Sequence, residues 1–199
     1  MISLVLLLLM GICAGLFYRE GLWSAMVAAI NVLFAAVLAT AWYEWPAGLI
    51  QDAVPGAGYV VDFLCIWILF ALLLTITTEV TIRVSRTRVK FPLWVDRIGG
   101  PVVGLFVGWI FICFVATTLH MAPLPRDSIQ PNPTQRMFGG LAPDRKWLQF
   151  VRGATRQGAP FSRPGENEAN VFDKEADFIL RYADRRKKLE SEGSLWAKP

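Results

Sequence analysis

Four long apolar runs follow one another in the first part of the chain, each close to the length that crosses a membrane as a helix. The runs cover residues 1–18, 22–43, 59–78 and 98–119. About 20 apolar residues in a helix span the ~30 Å hydrocarbon core of a bilayer. The pattern predicts an all-α integral membrane protein in which residues 1–119 form a four-helix transmembrane bundle.

The connections between the runs differ in length and charge. Only Arg19, Glu20 and Gly21 separate the first two runs, which favours a tight helical hairpin. The segment from Glu44 to Gly58 is rich in proline and glycine and predicts a loop. A further connection before the fourth run carries several cations, namely Arg83, Arg86, Arg88 and Lys90.

The polar tail divides into two predicted parts. Residues 120–165 form a Pro/Gly-rich linker, because closely spaced prolines prevent regular structure. Residues 166–199 form a charged C-terminal helix and tail, partly disordered. From about Asn170 to Glu192 apolar residues recur at spacings of four, three and four, which predicts one amphipathic helix.

Small residues recur at helical spacing in the first and fourth runs. Gly100, Gly104 and Gly108 lie four apart, as do Gly11 and Gly15, so each set falls on one helix face. Small residues let membrane helices approach closely, and we expect these glycines to mediate helix packing. Pro101 fits if it lies in the first turn of the fourth helix, where proline costs no hydrogen bond.

Composition supports a membrane protein without metal or disulfide chemistry. The chain is 54% hydrophobic, and its three cysteines all lie in apolar runs. With a single histidine, the sequence predicts no zinc site, no disulfide framework and no cofactor. It contains no HExxH, GxSxG or Walker motif, so we expect no enzyme activity.

The distribution of cations predicts the orientation in the membrane. With four crossings, the loop at Arg19 and the loop before the fourth run share one face, which collects all six Lys/Arg of residues 1–119. Short cation-rich loops stay in the cytoplasm. Both termini and the tail are therefore predicted to be extracytoplasmic, and no nucleic-acid partner is expected.

Charged groups near the predicted spans are the candidate functional residues: Arg19, Glu20, Asp62, Glu79, Asp96 and Arg97. Asp62 and Glu79 either mark the two ends of the third helix or belong to an ion pathway. The Arg19-Glu20 and Asp96-Arg97 pairs either cross-pair and clamp two hairpins, hold a charged partner group, or are solvated turns.

Other polar side chains have mainly structural interpretations. Asn31 is expected to hydrogen-bond a neighbouring helix. Thr75 and Thr78 either line a cavity or bond back to their own helix. His120 is expected to be an interfacial histidine without a catalytic or metal-binding role.

The chain up to about residue 120 resembles the colicin V production (CvpA) family. The resemblance rests on Phe17, Arg19 and Glu20, and on Asp96-Arg97 leading into the Gly100, Gly104 and Gly108 ladder. Gly15 and Val107 stand where the family pattern has arginines within the membrane. The resemblance implies a bacterial inner-membrane protein connected with toxin production or export and with the envelope.

These expectations combine into one function with two alternatives. The chain is predicted to be a non-enzymatic, multi-pass inner-membrane protein involved in toxin production, export or envelope maintenance. It is expected to contact lipid and either further copies of itself or a transport-assembly partner. One alternative is a small oligomeric transporter or channel whose subunits meet at the glycine faces. The other is a membrane-anchored interaction module whose extracytoplasmic tail binds anionic polymers or lipid.

Overall fold

A computed structural model describes most of the chain, and all regular structure in it is α-helical. The described residues are 2–53, 58–85, 89, 91–123, 136–137, 140–162 and 171–191. Their helices are α1 (Ile2–Glu20), α2 (Leu22–Trp42), α3 (Glu44–Ala53), α4 (Gly58–Val84), α5 (Leu93–Met121), α6 (Pro143–Ala154) and α7 (Phe178–Ser191).

Three helices are long and apolar enough to cross a membrane. Within the described residues they are Leu22–Trp42, Val60–Val84 and Leu93–Met121, with mean hydropathies of 2.2, 2.5 and 2.4. The predicted all-α class is confirmed for the described residues, and these three helices match three of the predicted crossings. A crossing by α1, and with it the four-helix transmembrane bundle, stays a prediction.

The prediction of a loop between the second and third runs was wrong over Glu44–Ala53, because these residues form α3. Pro46 lies in the first turn of this helix, where a backbone N–H has no intrahelical acceptor to lose. Glu44 at the helix start also complements the positive end of the helix dipole. A proline in the first turn therefore did not exclude a helix.

The expected position of Pro101 was also wrong. The helix α5 begins at Leu93, so Pro101 lies inside it and not in its first turn. At that position the ring cannot donate the usual bond to the carbonyl four residues earlier. The charged pair Asp96-Arg97 consequently belongs to the first turns of α5 and does not precede it.

Contacts divide the chain into two compact units. Unit 1 comprises Met1–Tyr43 and Ile66–Val115, and unit 2 comprises Glu44–Cys65 and Ala116–Pro199. In unit 1, aromatic rings of α4 and α5 pack together, with Phe70 stacked on Phe114 at 4.6 Å between ring centroids. Phe114 and Ile112 are fully buried there.

Unit 2 has its own apolar core. Ala47 of α3 packs with Val61 and Cys65 of α4. Trp147 and Val151 of α6 are buried. The ring of Phe178 in α7 packs with two neighbouring rings, and its centroid lies 5.9 Å from that of Phe172 and 4.9 Å from that of Tyr182.

The tail is more ordered than its composition predicts. Helix α6 lies inside the predicted 120–165 linker, whose proline-spaced residues 124–135 lie outside the described part. Helix α7 begins at Phe178, later than the predicted start near Asn170, which is itself outside that part. Asp173 acts like an N-terminal cap of α7, since its Oδ1 accepts a hydrogen bond of 3.0 Å from the N–H of Phe178, the first residue of that helix.

Candidate functional site

A polar groove lies between α2 and α4 in unit 1. Its volume is about 400 Å³, and its polar lining consists of Glu20, Ser24, Asn31, Thr78, Thr81 and Ser85. Apolar side chains, including those of Val27 and Leu74, complete the walls. One carboxylate, one amide and several hydroxyls are thus gathered beside helices that are otherwise apolar.

A chain of hydrogen bonds crosses this groove. The amide of Asn31, 4% exposed, donates to Thr81 Oγ1 at 3.0 Å. Thr81 Oγ1 in turn donates to the Thr78 carbonyl at 2.9 Å. The expected interhelical role of Asn31 is therefore seen, and such linked bonds polarise one another.

The two alternatives for the threonines both occur, at different positions. Thr78 lines the groove. Thr75 donates to the Ala71 carbonyl of its own helix at 2.8 Å and is exposed. The neighbouring Glu79 is exposed and pairs with Arg83 at 3.8 Å, a contact between solvated groups of small energetic weight.

The α1–α2 turn is joined to the start of α5 by a carboxylate and a backbone amide. Leu22 N–H donates to Asp96 Oδ1 at 3.0 Å. Gly21 adopts a φ of +85°, and a Cβ added to it would lie 3.2 Å from the same oxygen. The α2 N-cap has no side chain of its own to accept this bond, so Asp96 caps α2 from another helix.

This geometry tests one of the three interpretations of the two charged pairs, the cross-pairing of Arg19-Glu20 with Asp96-Arg97. Asp96 does link the two turns, but its partner is the α2 backbone and not an arginine of the other pair. Arg19, Glu20 and Arg97 are exposed. Arg86, Arg88 and Lys90 of the cation-rich connection lie outside the described residues.

The glycine ladder of α5 packs directly on α1. A Cβ on Gly100 would lie 2.6 Å from the Phe17 carbonyl oxygen, and one on Gly104 would lie 3.1 Å from Ala14 Cα. One on Gly108 would lie 3.1 Å from Met10 Cα. All three glycines therefore let two helices of the same chain approach at backbone distance.

The glycines of α1 face elsewhere. A Cβ on Gly11 or Gly15 would meet no described atom within 4 Å. Val107, the second position that departs from the family pattern, is buried. The subunit contact expected at the α5 ladder is thus taken up by an internal contact, whereas Gly11 and Gly15 meet no described atom.

Asp62 is the centre of a buried polar cluster in unit 2. Its Oδ1 accepts from Gln51 Nε2 at 2.6 Å, and its Oδ2 accepts from the Tyr182 hydroxyl at 2.9 Å and from Arg185 Nη1 at 2.5 Å. The Arg185 guanidinium also lies 5.2 Å from the centre of the Tyr182 ring. Asp62 therefore connects α3, α4 and α7 and does more than mark a helix end.

His120 has a buried partner that sequence spacing did not predict. Its Nε2 lies 3.0 Å from Asp144 Oδ2, and both side chains are 1% exposed. His120 Nδ1 and Asp144 Oδ1 have no hydrogen-bond partner among the described residues. Helix α6 covers His120, so its ring is buried, and its position at the membrane interface stays a prediction.

Comparison with known proteins gives one match. The family model described as Colicin V production protein matches residues 2–141. No curated protein matches the chain. No solved structure matches it either. The matched residues include the groove, the Asp96 contact and the glycine ladder, and they make up well over half of the chain, which therefore belongs to the colicin V production protein family.

Proposed function

We propose that this protein is a non-catalytic, multi-pass protein of the bacterial inner membrane that supports toxin production or export, or maintenance of the envelope. In this proposal the α2–α4 groove binds a transmembrane helix of a transport-assembly partner. The groove is the observation that carries the proposal, because it presents hydrogen-bonding groups on helices of membrane-spanning length.

The chemistry of the groove suits a helix. Polar side chains facing hydrocarbon are costly unless they hydrogen-bond, and they join membrane helices when they do. The groove offers an amide, hydroxyls and the carboxylate of Glu20 between apolar walls. A partner helix with one or two polar residues on an apolar face would satisfy these groups and cover the walls.

Photo-crosslinking in cells tests the partner. A photoreactive amino acid at Val27, which lines the groove, is expected to give a discrete protein adduct. The same amino acid at Ile68, 65% exposed on α4, is the control and is expected to give no such adduct. Adducts with lipid alone at Val27 would overturn the helix-binding proposal.

A substitution links the groove to function. Asn31→Leu removes the hydrogen bond from Asn31 to Thr81, which is worth about 1 kcal/mol and holds α2 against α4 at the groove. The groove should lose its shape, and we expect fewer protein adducts at Val27. The expected readout is less toxin in the medium of a producing strain, or greater sensitivity to membrane-active detergents. Thr75→Val is the matched control, because that hydroxyl bonds only within its own helix in the described contacts.

A small oligomeric transporter or channel is the alternative, since the groove volume is within the range of small-molecule sites. Of the two glycine sets expected at its subunit contact, Gly11 and Gly15 meet no described atom, whereas the α5 ladder packs on α1. A Val27 adduct with a second copy of this chain, together with a changed oligomer size for Gly15→Ile, would favour this alternative over a separate partner.

A further inference from the structure

Helix α3 of unit 2 carries an apolar face that the fold leaves exposed. Trp45 is 72% exposed, Leu49 57% and Ile50 44%. Trp45 and Leu49 are four residues apart, so their side chains lie on one side of the helix. A helix of ten residues thus presents three large apolar side chains outward.

The opposite side of α3 is occupied by contacts with α4. Ala47 packs with Val61 and Cys65. Gln51, four residues after Ala47, donates from its Nε2 to Asp62 Oδ1 at 2.6 Å. The amide therefore faces inward and the large apolar side chains face outward. This is the reverse of a helix in a water-soluble domain, and it is typical of a helix that meets lipid.

The position of α3 between two long apolar helices indicates which environment meets this face. Only Tyr43 separates α3 from the end of α2 at Trp42. The α4 residues that α3 contacts lie in the first turns of Val60–Val84, a stretch that is long and apolar enough to cross a membrane. A helix that adjoins the ends of two membrane spans lies at the level of the lipid headgroups.

The chemistry of the face suits the boundary between headgroups and acyl chains. Tryptophan is enriched there, because its ring is largely apolar while its indole N–H still reaches polar partners. The charged residues of α3 are both acids, Glu44 and Asp52, so α3 itself offers no cation to an anionic headgroup. Burial of apolar area, and not charge attraction, is what this helix contributes to membrane contact.

A second copy of the chain suits this face less well. A stable protein–protein interface buries ~800 Å² on each partner. An aromatic side chain buries at most ~250 Å² and an aliphatic one less, and the three side chains here are only partly exposed. A bilayer needs no complementary shape, so a small apolar face is enough to enter it.

We propose that α3 lies in the membrane–water interface, with Trp45 and Leu49 inserted at the boundary between lipid headgroups and acyl chains. Since Gln51 of α3 and Tyr182 of α7 donate to the two oxygens of Asp62, α3 also holds the tail helix α7 at that surface. The proposal rests on the membrane crossings of the proposed function. It is independent of the partner in the α2–α4 groove and of any role in export.

Depth-dependent fluorescence quenching in phosphatidylcholine vesicles tests this placement. A fluorescent amino acid is incorporated at Leu49 of the full-length protein, and the lipid carries a nitroxide either near its headgroup or near the end of its acyl chain. The nitroxide near the headgroup is expected to quench the Leu49 label about twofold more strongly than the deep one. A label at Leu72, 55% exposed in the middle of Val60–Val84, should show the reverse order.

The Leu72 label separates failure of this inference from failure of the proposed function. If neither nitroxide quenches at Leu72, α4 does not cross the membrane, and both are overturned. If Leu72 behaves as expected while Leu49 is not quenched, or is quenched more by the deep nitroxide, only the interfacial placement of α3 is overturned. Quenching at Leu49 that rises when lipid is added at constant protein would show that a second copy had covered the face, which also overturns the proposal.

Trp45→Ser tests whether the apolar face holds the helix at this depth. Loss of the ring should lower quenching at Leu49 by the headgroup-level nitroxide about twofold, because the ring is the largest part of the exposed face. Trp94→Ser is the matched control, since Trp94 is 70% exposed at the start of α5 and should leave this quenching unchanged. Equal losses for the two variants would show a general weakening of membrane insertion and overturn the local role of the α3 face.

Discussion

Units 1 and 2 are stabilised by different kinds of contact. In unit 1 the close approach of α1 to α5 depends on three glycines. The interhelical hydrogen bonds described there join an amide to a hydroxyl and a backbone N–H to the Asp96 carboxylate, without an ion pair between helices among the contacts described. In unit 2 the contacts between elements include the ion pairs of Asp62 with Arg185 and of Arg152 with Asp173.

The difference has a physical reason. Helix α5 is long and apolar enough to cross a membrane, and lipid gives such a helix no hydrophobic drive to associate, so shape, backbone proximity and hydrogen bonds have to hold it to its neighbours. An ion pair needs compensation for the desolvation of both charges. In unit 2 each guanidinium keeps some exposure, 33% for Arg185 and 24% for Arg152, while its carboxylate is buried. Substitutions should therefore act through steric clash in unit 1 and through uncompensated charge in unit 2.

The largest expected effect is that of Gly100→Ala. The new Cβ would lie 2.6 Å from the Phe17 carbonyl oxygen, so the backbones of α1 and α5 have to separate. Overpacking of this kind lowers the free energy of unfolding by ~1–3 kcal/mol. Because the new Cβ would meet backbone, which cannot move aside like a side chain, we expect a loss of about 3 kcal/mol. The measurement is the free energy of unfolding of the detergent-solubilised protein in a denaturant titration.

Gly15→Ala is the control for that measurement. No described atom lies within 4 Å of the new Cβ, and alanine favours a helix over glycine by about 1 kcal/mol. We therefore expect unchanged or slightly higher stability. If both substitutions have the same effect, the glycine ladder does not hold α1 against α5. Steric clash would then not be what distinguishes substitutions in unit 1 from those in unit 2.

The parts of this contrast were not equally predictable from the sequence. The glycine ladder was predictable because a spacing of four residues identifies one helix face without knowledge of its partner. The partner was not, since Gly11 and Gly15 have the same spacing and meet no described atom. Apolar length alone predicted α2, α4 and α5, whereas proline near a helix start obscured α3.

The polar contacts of unit 2 could not be predicted from the sequence, because their partners lie far apart along the chain. Asp62 is 120 and 123 residues from Tyr182 and Arg185, and His120 is 24 residues from Asp144. No local periodicity encodes such pairs. Arg185 lies near the basic end of α7, where an interaction with the helix dipole already accounts for a cation, so the sequence gives no sign of its buried acceptor.

Asp62→Ala is expected to have the second largest effect. It removes the acceptor of Gln51, Tyr182 and Arg185 together. Breaking a buried pair costs ~3–5 kcal/mol, but the partial exposure of Arg185 reduces this to about 2 kcal/mol. Limited proteolysis of the tail should accelerate accordingly, because α7 loses its link to α3 and α4.

Glu79→Ala provides the comparison for Asp62→Ala. Glu79 also pairs with an arginine, but both side chains are more than half exposed, so the loss should be ~0–1 kcal/mol. Equal proteolysis rates for the two variants would mean that burial of Asp62 adds nothing, and that unit 2 does not depend on its charged cluster.

Asp96→Ala is expected to have the smallest effect. Asp96 is a charged residue in unit 1, so this substitution tests whether charge also stabilises that unit. Its carboxylate caps the α2 backbone, so the loss should be that of a helix cap, ~1 kcal/mol, with about fivefold faster hydrogen exchange at the Leu22 amide. Asp96→Asn should restore most of this protection, since an amide oxygen also accepts the bond. Arg97→Ala, at an exposed position, should leave the exchange unchanged. If Asp96→Asn instead loses as much protection of the Leu22 amide as Asp96→Ala does, the negative charge of Asp96 stabilises this contact. The start of α5 would then depend on charge, as unit 2 does.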